Sequence, residues 1–341
     1  MDSEERITNA VLRKEVDRVP TFESLIDEKV IESITPGGTL DEFIYKMDID
    51  GVVVSPDYNK EEIGPNVFKD EWGNTIEYTS EKTPISKGCI NTLDDFKNFE
   101  SPDPKAPYRF KTLENAVKRH SGKKSIIVHM NDVLSIPRNL LGYENLFINI
   151  ASNPDLIKEL IKFSVEYNLS LAEEVVKRGV RIIMTGDDYA YGKGLLMSPR
   201  SFEELFYPGF CRVIKGFKEL GLLVIKHSDG NIWPILDKFV DAGIDCIDPV
   251  EPTAGMDIKT VKEIYGNKIS IKGNVDCSLT LTFGTREQVR EETLKCLKDG
   301  APGNGFILSS SNSIHSGVKP ENYITMLETL KEFGNYPLNF L

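Results

Sequence analysis

The sequence has no disulfide framework, no membrane-length apolar run and no excess of positive charge, and each absence removes a class of protein. Its five cysteines (Cys89, Cys211, Cys246, Cys277 and Cys296) are odd in number, scattered and without a C-x-x-C pair. That excludes a disulfide scaffold and fits a reducing compartment, where free cysteines pack as small apolar residues. No apolar stretch approaches a bilayer span, and the opening MDSEERITNAVLRKEVDRVP mixes acidic and basic residues without the apolar core of a leader, so we expect a cytoplasmic protein with no membrane contact. A formal charge of −12 argues against nucleic acid and anionic lipid as partners. Histidine is scarce as well, with four in 341 residues, so one placed at a strand tip is informative.

What is present is a repeating alternation of short apolar runs and longer amphipathic stretches. The runs are Val19 to Phe22, Gly51 to Val54, Ser125 to Val128, Arg181 to Met184, Leu222 to Ile225, Cys246 to Ile247, Ile269 to Ile271 and Phe306 to Leu308. Helical segments between them include Ser201 to Leu220, Ile232 to Ala242, Asp257 to Tyr265, Arg286 to Lys298 and Pro320 to Phe333, several opened by capping residues and closed by glycine. Near-continuous apolar strands alternating with helices imply a parallel sheet covered by helices, and eight units predict an α/β fold of the closed (β/α)8 TIM-barrel type. The N-terminal part is elaborated by helices and a β-hairpin: residues 58–120 read as an insertion, with a hairpin over Val67 to Tyr78 that turns near Gly73-Asn74. No linker divides the chain, so residues 1–341 read as one barrel domain.

In a barrel of this kind the site is built by the loops after the strands. Those positions offer Glu23, Asp57, Asn131 with Asp132, Asp187 with Asp188, His227 with Asp229, Glu251, Asn274 with Asp276, and Asn312. Any one polar loop tip is ordinary; their coincidence at one end of the barrel is the argument. The sharpest is Lys226-His227-Ser228-Asp229, which ends a buried run. Strand side chains alternate, so His227 and Asp229 face the same way and can bind one metal or relay a proton. With Glu251 from the next strand they make a three-ligand N/O set that leaves one coordination position open, a pattern that suits catalytic zinc. Asp187 and Asp188 are read as orienting substrate, with Glu23, Asn274, Asp276 and Asn312 lining its pocket, and Tyr189 and Tyr191 as walls for an aromatic substrate.

The stretch from Gly186-Asp187-Asp188 through Leu196-Met197-Ser198-Pro199, His227-Ser228-Asp229-Gly230, Gly255-Met256-Asp257, Gly273-Asn274-Val275-Asp276 and Lys319-Pro320-Glu321-Asn322 resembles the uroporphyrinogen decarboxylase superfamily. That superfamily includes the decarboxylase and the corrinoid-linked methyltransferases, and it is similar to the zinc domain of cobalamin-independent methionine synthase. The decarboxylase's arginine-rich segment is replaced here by Asp17-Arg18-Val19-Pro20-Thr21-Phe22-Glu23, which argues against a polycarboxylate substrate. Asp57 does fall where the resemblance places the decarboxylase's catalytic aspartate. In the methyltransferase branch zinc is held by a His-x-Cys pair and a later Cys; the matching positions here are His227, Asp229 and Asn312, with Glu251 between them.

Loss of both thiolates leaves an oxygen-rich set compatible with zinc or another divalent metal, and a stronger Lewis acid. The expected function is therefore transfer of a methyl group from a small, methoxylated donor to a corrinoid carried by a partner protein. His227, Asp229 and Asp57 are the expected catalytic residues, and the resemblance implies a homodimer. The alternatives are a cofactor-free decarboxylase working through Asp57, and a non-catalytic barrel that binds a small molecule or a corrinoid partner.

Overall fold

Seven of the eight apolar runs form one all-parallel sheet in the computed structural model, which describes residues 1–78 and 84–339. The strands are β1 (Gly51–Val54), β2 (Ser125–Met130), β3 (Ile182–Thr185), β4 (Leu223–His227), β5 (Cys246–Asp248), β6 (Ser270–Val275) and β7 (Phe306–Ser310), each paired with the next in chain order. Every residue of β3, β5, β6 and β7 is buried. Burial on both faces is what a parallel sheet wrapped in helices requires.

The eighth run, Val19 to Phe22, forms no regular ladder because Pro20 has no N–H to contribute. It nevertheless sits between the sheet's two edges. Asp50 N donates to Thr21 O at 2.8 Å and Leu308 N donates to Pro20 O at 2.9 Å, so the segment closes the ring into a TIM-type barrel. The fully buried Asp50 carboxylate fixes this seam, accepting from Arg6 (2.7 Å), Arg18 (2.8 Å), Ser3 (2.9 Å) and the amide of Thr21 (3.0 Å).

The outer helices follow local chemistry. Arg286–Gly300 opens on a capping box between Thr285 and Gln288, and Leu236–Ala242 ends at Gly243, whose φ of 97° needs a residue without Cβ. The helix expected over Ser201 to Leu220 is interrupted. A π-helical turn at Phe202–Phe206 precedes Tyr207–Glu219, because Pro208 cannot donate in the first turn of the latter.

The insertion is larger than a hairpin. Lys60–Gly64, Val67–Asp70, Thr75–Tyr78 and Pro84–Lys87 form a four-stranded antiparallel sheet. Its central turn uses Gly73 at φ 84° and the Asp70 carboxylate, which accepts from the amides of Trp72 (3.0 Å) and Asn74 (2.8 Å). The sheet is fastened to the barrel by Glu71, bonded to Arg109 and Tyr108, and by Trp72, whose ring lies 4.8 Å from that of Tyr167. No helix among the described residues is long and apolar enough to cross a membrane.

Candidate active site

Adjacent residues of β4 point to opposite faces, and the two faces carry different chemistry. Lys226 points outward and is fully buried against the rings of Tyr189, Phe210 and Phe239; its ammonium donates to Asp132 Oδ2 and to the carbonyl of Asp187, both at 2.7 Å. His227 points into the barrel. It is opposed in register by Asp248 of β5, and Lys272 of β6 completes the row. His227 Nδ1 lies 2.6 Å from Asp248 Oδ2, and Lys272 Nζ donates to Asp248 Oδ1 at 2.6 Å while resting over the Phe22 ring. Burial alone would raise the Asp248 carboxyl, but the charges of Lys272 and His227 outweigh it and hold it down to about 2. Burial likewise works against a charged His227, yet the bond to Asp248 and the nearby carboxylates win and raise its pKa.

An ionised Asp248 accepts a hydrogen bond from Nδ1–H, which leaves Nε2 facing the cavity. There it is 3.4 Å from Asp229 Oδ1 and 3.6 Å from Asp188 Oδ1, and one ligand atom from each of the three residues lies within 4.8 Å of the others. Asp229 Oδ2 accepts from Asn312 Nδ2 at 2.7 Å, but the buried Oδ1 has no hydrogen-bond partner among the described residues. Burial, reinforced by Asp188, pushes the Asp229 carboxyl up to about 6 against the pull of His227. A buried carboxylate oxygen left unpaired is costly. Set against an imidazole nitrogen and a second carboxylate, it fits a divalent cation.

The remaining sequence candidates divide. Glu251 is not a member of the three-residue group: its oxygens accept from Gly230 N (2.7 Å) and Thr253 (2.8 Å), so it shapes the loop after His227 while Asp188 stands in the position expected of it. Asn312 reaches the site through Asp229. Glu23 is buried, held by the amide (3.0 Å) and hydroxyl (2.7 Å) of Ser310, and burial lifts its pKa to about 7.

Asp57 is engaged at both oxygens by Thr112, through N at 2.9 Å and Oγ1 at 2.6 Å, and so holds the start of Lys111–His120. Asp187 accepts from the amides of Leu134 (2.6 Å) and Ser135 (2.9 Å) at the start of another helix. Asn274 turns away to Val250 O and Cys296, and Asp276 closes a turn onto Ser278 N. Tyr189 walls no pocket: it is fully buried among Phe202, Phe206, Phe210 and Phe239 with its hydroxyl on Asp132, while Tyr191 is half exposed. Asp248, Lys272 and His129 were not singled out from sequence. The signal for the first two was register: each lies one residue beyond a run already read as a strand.

This mouth cavity, about 350 Å3, is lined by His129, Gly186, His227, Asp248, Lys272 and Asn312 among others. Relatives of two kinds share the chain. A uroporphyrinogen decarboxylase of Pseudoalteromonas translucida is 27% identical over 78% of this chain and 75% of its own length. The methylcobamide:CoM methyltransferase MtbA of Methanosarcina mazei is 24% identical over 72% of this chain and 69% of its own. Among solved structures, a methyltransferase from Methanosarcina mazei superposes with a TM-score of 0.74 at 19% identity, covering 98% of this chain and 99% of that one. A B12-independent methionine synthase from Shewanella sp. W3-18-1 gives 0.55 at 14% identity over 93% and 92%. These likenesses extend the fold, and the family model for uroporphyrinogen decarboxylase (URO-D) matches residues 67–333: the chain belongs to the uroporphyrinogen decarboxylase (URO-D) family.

Proposed function

We propose that this protein is a methyltransferase that moves a methyl group from a small, methoxylated donor to a corrinoid carried by a partner protein, using a divalent metal, zinc first among the candidates. The observation that carries the reading is the buried Oδ1 of Asp229, without a hydrogen-bond partner among the described residues, facing His227 Nε2 and Asp188. Asp188, His227 and Asp229 would hold the metal, which when bound supplies Lewis-acid polarisation of the leaving oxygen. The rest is done by the chain itself. Asp248 fixes the His227 ring and its tautomer, and Lys272 keeps Asp248 ionised. Asn312 orients Asp229, and Glu251 holds the Gly230 loop so that Asp229 faces inward. Relatives named as methylcobamide:CoM methyltransferases, in which a methylated corrinoid is the methyl donor, support a corrinoid partner, and the acceptor direction is part of the proposal.

The decarboxylase reading places the chemistry at Asp57, whose two oxygens each accept one hydrogen bond from Thr112, so that the residue also has a structural use. The test combines elemental analysis of purified protein with the absorbance of cob(I)alamin on adding methoxylated donors. We expect stoichiometric divalent metal, lost in Asp229→Ala, and conversion to methylcobalamin. Metal-free protein with unchanged cobalamin spectra, or release of carbon dioxide from a porphyrinogen, overturns the reading.

A further inference from the structure

A second and larger cavity, about 930 Å3, lies between the ends of β1 and β2 and the inserted antiparallel sheet. It meets the mouth cavity at Val53, Ser55 and His129, which line both. Its volume is in the range of sites that enclose whole small-molecule ligands. Its walls carry the rings of Tyr58, Trp72, Tyr78 and Tyr167 among aliphatic side chains such as Ile76 and Leu140.

The charged groups on its border are already engaged. Arg119 pairs with Asp41 at 2.8 Å, Asp57 with Thr112, and Asp70 with the amides of its own turn. Lys60 donates to Tyr78 Oη at 3.0 Å and lies over the Phe68 and Tyr78 rings. The polar surface left over is neutral: the amides of Asn115, Asn131 and Asn139 and the hydroxyls of Ser55 and Tyr167, the last buried without a hydrogen-bond partner among the described residues. Such a chamber offers stacking faces and neutral donors and acceptors, with no clamp of cations for a polycarboxylate.

His129 stands at the junction. No protein group among the described residues hydrogen-bonds either of its ring nitrogens, although the residue is largely enclosed. A Cβ on Gly186 would lie 2.1 Å from its Nε2, so the imidazole occupies space that the bare backbone at the tip of β3 leaves open. Burial and the neighbouring charge of His227 lower its pKa, and its unengaged ring nitrogens can hydrogen-bond a ligand in the chamber.

We propose that this chamber binds the body of the substrate, a flat, uncharged ring bearing oxygen substituents, and that His129 hydrogen-bonds an oxygen of that ring, setting how far its reactive group extends toward Asp188, His227 and Asp229. The identity of that reactive group rests on the function proposed above; the chamber and its ligand class do not.

Calorimetric titration of the full chain with 2-methoxyphenol tests this, with benzene-1,3,5-tricarboxylate as the charged comparison. We expect the neutral ring to bind and the tricarboxylate not to. Ile76→Trp fills the chamber from the inserted sheet, and Asn139→Trp fills it from an exposed helix position that tolerates substitution; each should weaken 2-methoxyphenol by roughly tenfold or more. His129→Ala should weaken it by roughly three- to tenfold, the loss of one hydrogen bond, with partial rescue in His129→Gln. All four variants should keep the metal content of the unmodified chain.

Absence of 2-methoxyphenol binding, unchanged affinity in both chamber-filling variants, or tighter binding of the tricarboxylate overturns the proposal. If 2-methoxyphenol binds in the chamber but cobalamin is never methylated, the methyltransferase reading falls and the chamber stands. If cobalamin is methylated with KM unchanged in the filled variants, the chamber falls and the methyltransferase reading stands.

Discussion

His227 and Asp248 are opposed across parallel strands with Nδ1 and Oδ2 2.6 Å apart. The relationship determines which imidazole nitrogen serves the cavity, because the ionised carboxylate claims the other. Asp248→Asn keeps the shape but removes the charge that orients the ring. Zinc affinity measured by equilibrium dialysis should fall by about 10- to 100-fold, with little change in far-UV circular dichroism. Undiminished affinity would show that the ring is positioned by packing alone.

Asp57 distinguishes structural from catalytic work. Its carboxylate holds the first turn of Lys111–His120, so Asp57→Ala should cost about 1 kcal/mol in a urea melt and leave methyl transfer to cobalamin unchanged at saturating donor. A collapse of turnover with unaltered stability would return Asp57 to the chemistry.

Glu23 makes stability depend on pH with a definite sign. Below its ordinary value of 4.5 the carboxyl is protonated folded and unfolded alike; above that the unfolded chain releases the proton while the folded one keeps it up to about 7. Folding stability contributed by this group therefore falls as pH rises through that window, by about 3 kcal/mol in all, and levels off above it. Glu23→Gln should remove the decline, so that the variant's Tm relative to the unmodified chain is higher at pH 8 than at pH 5. A difference that does not vary with pH would refute this account.

The inserted sheet is held by charge as well as by rings. Arg109 is fully buried against Glu71, and its Nη2 finds no partner among the described residues. Glu71→Ala leaves that guanidinium uncompensated, which should cost about 3–5 kcal/mol in urea-melt stability. The companion expectation is faster proteolysis within residues 58–120 than elsewhere. A loss below 1 kcal/mol would mean that Trp72 and its aromatic neighbours hold the sheet unaided.

Much of the architecture was legible because parallel strands are apolar throughout and stand out by composition alone. The eight runs, the Val67 to Tyr78 hairpin and the helices from Asp257 onward follow from that. The site was less legible for a physical reason: a reading of runs locates strand tips but not register. Asp248 and Lys272 lie one residue past the runs as read, and their importance comes from lateral pairing, Asp248 with His227 and Lys272 with Asp248. His129 was lost in the same way, since β2 continues to Met130 rather than stopping at Val128. Tyr189 illustrates the opposite error. Its place beside two aspartates suggested a pocket wall, whereas the local chain turns it into the aromatic layer that also receives Lys226.

The closure at Val19 to Phe22 governs when this molecule can become a barrel at all. Glu23 and Ser310, which bond beside that seam, are separated by 287 residues of chain. During synthesis the Val19 to Phe22 segment, which lies between β1 and β7, must therefore wait for β7, and the entropy of joining such distant segments is met only at the end. Until then the sheet carries two open edges, each a template for pairing with another chain. Aggregation of nascent chains, rather than unfolding of the finished protein, is the hazard that this topology creates.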